Sequence, residues 1–201
     1  MANADRPTGL MPLEYLNGSP WNGACRMYCI PNTDDTNAYA IGDPVVLAGG
    51  ADANGVATVT LATAGTASLV LGAIVGFGSS KYGGSGMPGD TESTVIPATK
   101  SKDYYVLVAD DPNIVFEIQE VSGGTALTAA EVGLNANFAA AGTNNGYTST
   151  WELDNSGEAT GATLQLKLLG LVQRADNAFG EHAKWRVLIN HHQYRAGVAG
   201  V

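Results

Sequence analysis

The amino-acid sequence predicts an all-β fold: a β-sandwich or jelly-roll-like domain over residues 25–201, preceded by an extended N-terminal arm over residues 1–24. Three observations predict it. Apolar residues come in short runs, not in long helical stripes. Turn clusters such as Pro31-Asn32-Thr33-Asp34-Asp35, Gly49-Gly50-Ala51-Asp52 and Asn144-Asn145-Gly146 separate those runs. The composition, with 26 glycines in 201 residues, 45% hydrophobic and 14% charged, suits many strands joined by tight turns more than solvated helices.

Residues 1–24 carry Pro7, Pro12 and Pro20 with Gly9, Gly18 and Gly23 between them and show neither period 2 nor period 3.6. The expectation is an arm that, fully extended, spans roughly 80 Å. Its apolar side chains, Leu10, Met11, Leu13, Tyr15 and Trp21, together with Arg6, are the candidate contacts with a neighbouring subunit.

Strands are expected near Met27 to Ile30, Val45 to Leu47, Thr58 to Leu61, Leu69 to Phe77, Tyr104 to Ala109, Val115 to Val121, Thr150 to Leu153, Leu164 to Leu171 and Lys184 to Ile189. In two of them alternation assigns faces. Leu164, Leu166 and Leu168 oppose Gln165 and Lys167, and Trp185, Val187 and Ile189 oppose Lys184, Arg186 and Asn190, so one face of each is expected to be wet. Leu69 to Val75 and Tyr104 to Val108 are apolar on both faces, which implies cover on both sides by a second layer or a subunit. The helical signal is Thr128-Ala129-Ala130-Glu131, a hydroxyl N-cap with a carboxylate three residues on, stopped by Gly133. Gly76 to Gly89 and Asp154 to Gly161 read as long loops.

The formal charge of -9 disfavours nucleic acid as a partner, because phosphate binding rests on cations that displace counterions. No basic segment followed by an apolar stretch opens the chain, and no run approaches the roughly 20 apolar residues of a membrane-spanning helix, so a soluble protein made in the cytosol with no membrane partner is expected. Cys25 and Cys29 lie four apart on one expected strand, too distant along it for an easy disulfide, and are read as free thiols.

Catalytic chemistry finds little support. His191 and His192 are adjacent, so on a strand they point to opposite faces, although a metal site with His182 can be imagined. Asp110-Asp111-Pro112 is explained as a turn, with a calcium role together with Asp103 as the alternative. The segment Gly76-Phe77-Gly78-Ser79-Ser80-Lys81 lacks P-loop spacing. Trp21, Trp151, Trp185 and the tyrosines could stack on sugars, but scattered aromatics in a β protein usually belong to a core or interface. The reading is therefore non-enzymatic, with no catalytic residue, cofactor or metal assigned.

The opening Met1-Ala2-Asn3-Ala4-Asp5-Arg6-Pro7-Thr8-Gly9-Leu10-Met11-Pro12, followed by Tyr15-Leu16-Asn17-Gly18, resembles the start of a group of tailed-bacteriophage head proteins. The likeness continues at Ile41-Gly42-Asp43-Pro44-Val45, Leu71-Gly72-Ala73-Ile74-Val75-Gly76-Phe77, Val108-Ala109-Asp110-Asp111-Pro112 and Leu168-Leu169-Gly170-Leu171-Val172, and so spans nearly the whole chain. Such proteins are decoration, or cement, proteins. The resemblance implies a structural virion protein on the outer capsid surface. Its partners would be the major capsid protein and further copies of itself, a homotrimer ahead of a dimer, with the arm running over neighbouring subunits. The rival reading is a tail or fibre module that recognises host carbohydrate through loops such as Gly76 to Gly89.

Overall fold

The computed structural model describes residues 3–78, 95–139 and 144–195. It is all-β and sandwich-like, with a five-stranded sheet facing a five-stranded closed barrel. The barrel runs in the order β2 (Arg26–Ile30), β5 (Ala57–Leu61), β4 (Pro44–Ala51), β6 (Gly72–Gly78), β8 (Tyr104–Ala109). The sheet runs β1 (Met11–Tyr15), β9 (Ile114–Gln119), β12 (Lys184–Ile189), β11 (Leu166–Leu171), β10 (Asn135–Ala136). Two short strands, β3 (Tyr39–Ala40) and β7 (Val95–Ile96), pair with each other.

One of the two doubly apolar runs explains how the layers meet. In the other, Val106 and Val108 are buried in the barrel core, whereas Tyr105 and Leu107 on the opposite face are only half-buried, so that run is not covered on both sides. Along β6 and the residues before it, Leu71 and Ile74 point into the barrel core with Val45, Val59, Val106 and Val108, whereas Val70 and Ala73 join the core under the sheet with Phe116, Leu166, Trp185 and Val187. The same stretch is thus buried on both sides, as expected of a shared wall. Asp110-Asp111-Pro112 is the turn that carries the chain from barrel to sheet: the Asp111 carboxylate accepts the Asn113 N–H at 2.8 Å, and the Ile114 N–H donates to the Asp111 carbonyl at 3.1 Å.

The expected capping box is present. The Ala130 N–H donates to Thr128 Oγ1 at 3.2 Å and the Thr128 N–H to Glu131 Oε2 at 2.6 Å, around a single 3-10 turn, Ala129–Glu131. Thr150 to Leu153 is extended but pairs only through isolated bridges, Leu153 with both Glu120 and Phe138. Gln165 is fully buried and not on a wet face: its side chain accepts the Gly65 N–H at 3.0 Å and donates to the Thr63 carbonyl at 2.8 Å. Loop backbone groups that lack sheet partners need such a side chain.

The N-terminal segment departs from the expected arm. Met11–Tyr15 is an edge strand of the chain's own sheet, antiparallel to β9, and Leu10 is fully buried in the sheet core. A register shift between Pro12 and Glu14 breaks the alternation that would have marked the strand, and Pro12 is tolerated because the strand lies at an edge.

Candidate functional site

The six candidate contact residues all lie on the N-terminal segment, which is tied to the body along its length. Asn3 bonds the loop before β12 through its side chain, accepting the Ala178 N–H at 3.1 Å and donating to the Glu181 carbonyl at 2.9 Å. The Arg6 N–H donates to Gln119 Oε1 at 2.8 Å and its carbonyl accepts Lys184 Nζ at 2.6 Å, while its side chain belongs to an exposed residue. Leu10 is internal, fully buried in the sheet core. Met11, Leu13, Tyr15 and Trp21 are half-buried, and Tyr15 and Trp21 pack against the sheet core.

After β1 the chain turns back. The Tyr15 N–H donates to the Ser19 carbonyl and the Trp21 N–H to the Leu13 carbonyl, so residues 14–21 form a small hairpin over the sheet edge. At its tip Leu16 is 54% exposed beside a shallow groove lined by Tyr15, Asn17, Asp111 and Asn113. The Leu16 N–H donates to the Asn113 carbonyl at 2.8 Å, which ties the backbone of the hairpin tip to the turn before β9.

The segment is locked where it crosses the turn before β4. The Leu10 N–H donates to the Gly42 carbonyl at 2.9 Å. Gly9 and Gly42 both have positive φ, and a Cβ on either would collide with the other strand, at the Gly42 or the Thr8 carbonyl oxygen. Asp43 beside this crossing is buried, accepts the Ala40 N–H at 2.7 Å, and has its pKa pushed up to about 6 by loss of water.

A polar cluster forms where the segment starts. Asp5, Glu152 and His182 come together around the fully buried Gln119, whose Nε2 lies 2.9 Å from Asp5 Oδ1, 2.9 Å from Glu152 Oε1 and 3.3 Å from His182 Nδ1. Burial, then the charge of Asp5, raises the Glu152 pKa. Sequence reading missed this cluster because its members are far apart along the chain and make no spacing motif.

No family model, curated protein or solved structure matches this chain.

The other candidate chemistries do not assemble among the described residues. Asp103 and Asp110 flank the six-residue β8, roughly 20 Å long, so the calcium grouping with Asp111 is not formed. Asp110 instead accepts the Tyr28 hydroxyl at 2.6 Å and pairs with Arg26 at 3.5 Å. His182 joins neither of the other histidines: His191 Nδ1 lies 3.3 Å from the Ser68 carbonyl, and His192 is fully buried with Nδ1 accepting the Tyr194 N–H at 2.9 Å. Trp151 and Trp185 are buried, Trp151 edge-on to Phe138 at 5.3 Å, so neither offers a free face to a sugar. Both cysteines are free, and burial raises both thiols, Cys29 to about 12, the opposite of an activated thiolate. Of the loop Gly76 to Gly89, residues 79–89 lie outside the described residues.

Proposed function

We propose that the chain is a structural virion protein, a capsid decoration protein that binds the major capsid protein on the outer surface of a tailed-phage head and associates with copies of itself. The observation that carries the reading is the N-terminal hairpin, hydrogen-bonded within itself and to the turn before β9. It contains Tyr15-Leu16-Asn17-Gly18, part of the stretch that resembles the opening of such proteins, and it presents exposed Leu16 at its tip. A preorganised apolar contact favours such binding, because ordering a loose arm on binding costs affinity. Many weak copies then sum through multivalency, and a ligand that binds only the mature lattice stabilises it by mass action.

Removing residues 1–24 is a poor test, since it would strip a strand and a core leucine from the fold. Leu16→Asp is a clean one, because the side chain is exposed. Co-sedimentation with expanded heads of the encoding phage should saturate for the parent chain and weaken at least tenfold for Leu16→Asp, about 1.4 kcal/mol or more. Failure of the parent to bind heads would overturn the decoration reading. Unchanged binding by Leu16→Asp would remove the hairpin tip from the contact.

A further inference from the structure

Asp5, Glu152 and His182 each offer one ligand atom, and the three atoms lie within 4.8 Å of one another. They come from three separate stretches: the N-terminal segment, the extended run before Leu153, and the loop before β12. Gln119 sits beneath them with its orientation fixed, since its Oε1 accepts the Arg6 N–H at 2.8 Å and its Nε2 must therefore face the cluster. That nitrogen carries two hydrogens, yet three acceptors surround it. One acceptor is surplus. A proton on His182 Nδ1 could be given only to Asp5, across a long 3.5 Å contact, and would leave two donor nitrogens, Nδ1 and the Gln119 amide, 3.3 Å apart. Lys184, the nearby ammonium, is engaged by the Arg6 carbonyl at 2.6 Å.

We propose that Asp5, Glu152 and His182 bind one divalent transition-metal ion of the zinc class, which staples the N-terminal segment to the sheet. One imidazole nitrogen and two carboxylate oxygens suit zinc or its borderline neighbours, whereas calcium requires six to eight oxygens and magnesium keeps most of its water. Bonds of about 2.1 Å put tetrahedral ligand atoms roughly 3.4 Å apart. The Asp5 side chain, 65% exposed, is free to close the remaining distance, and the open side of the site leaves a fourth position to water. Gln119 then donates its two hydrogens to the ligating carboxylates and holds them in place. His182 sits at φ 61°, a left-handed conformation uncommon for a non-glycine residue, in the loop that brings its ring to the cluster.

The test uses the full chain, stripped with EDTA and titrated with zinc chloride by calorimetry and thermal unfolding, then with manganese, calcium and magnesium chlorides. One zinc per chain is expected, with Tm rising by roughly 5 °C or more at a hundredfold excess over Kd, and with calcium and magnesium at least tenfold weaker. His182→Gly keeps the backbone conformation and Glu152→Gln keeps the shape. Each should retain the metal-free fold by circular dichroism and lose at least tenfold in zinc affinity, while a Cys25→Ser/His191→Ala chain binds as the parent does. No uptake by the parent, uptake unchanged in a folded His182→Gly or Glu152→Gln chain, or uptake abolished in the Cys25/His191 control would each overturn the proposal.

Discussion

Glu120 is fully buried, and three donors converge on it: the Leu127 N–H at 2.8 Å and Asn155 Nδ2 at 3.3 Å on one oxygen, and Trp185 Nε1 at 2.9 Å on the other. Burial raises its pKa, and the hydrogen bonds oppose that rise. Glu120→Gln turns one acceptor into a donor facing donors already in place, so urea unfolding should show a loss of about 1–3 kcal/mol. An equally stable variant would mean that the site is wetter than its geometry implies. Two other buried groups set opposing pH dependences. His192, pushed down to about 4 by burial and by Arg195, titrates near 6.5 when unfolded, so its contribution is complete above pH 6.5 and is lost as pH falls toward 4. Asp43 has its pKa raised, so its contribution is complete below about pH 4 and is lost as pH rises through 6. Each shift is worth about 3 kcal/mol, and over pH 4–6.5 they nearly cancel. Asp43→Asn should expose the histidine: relative to the parent, its stability falls by about 3 kcal/mol between pH 6.5 and 4. Parallel pH profiles for the two chains would refute the assignment. Neither Glu120 nor Asp43 was legible as a hub in the sequence, since their partners are set by tertiary crossing and not by local spacing.

At the scale of elements, local signals read well and long-range ones did not. The capping box at Thr128 was legible because all its atoms come from four consecutive residues. β8 and β12 match the expected bounds because an unbroken apolar or alternating run defines them. β3, β7 and β10 have two residues each, too few to carry a period. β1 was read as an arm because its bulge and Pro12 hide its periodicity, and the same error carried Leu10 out of the core and the candidate contacts onto a reaching segment. The lock that holds β1 is testable by paired substitutions. Gly9→Ala adds left-handed strain and a collision with the Gly42 carbonyl, and should cost about 3 kcal/mol or more in chemical unfolding. Gly18→Ala, also at positive φ but with open space around it, should cost only about 1 kcal/mol. Equal costs at the two sites would show that the crossing does not hold the segment.

For the whole molecule, the sheet closes its own edges. Residues 20–21 return over β1, and Ala159 exchanges both backbone hydrogen bonds with Asn135 on β10, while the barrel has no edge strand. Under the proposed function, association would then draw on side chains such as Leu16 more than on strands added to these covered edges. The two cores share one wall, with Leu71 and Ile74 on the barrel side, Val70 and Ala73 on the sheet side, and Leu61 packed against both. Opening the barrel would strip the inner face of the sheet of its cover, so the two should unfold together. The chain carries separate reporters for each half: Trp21, Trp151 and Trp185 all belong to the sheet core, and Cys29 lies buried in β2 of the barrel. In a Cys25→Ser background, tryptophan fluorescence and Cys29 thiol accessibility should follow one denaturant transition with a common midpoint. Cys29 becoming reactive while the tryptophans remain native would mean that the barrel opens as a unit of its own and that the shared β6 wall does not couple the layers.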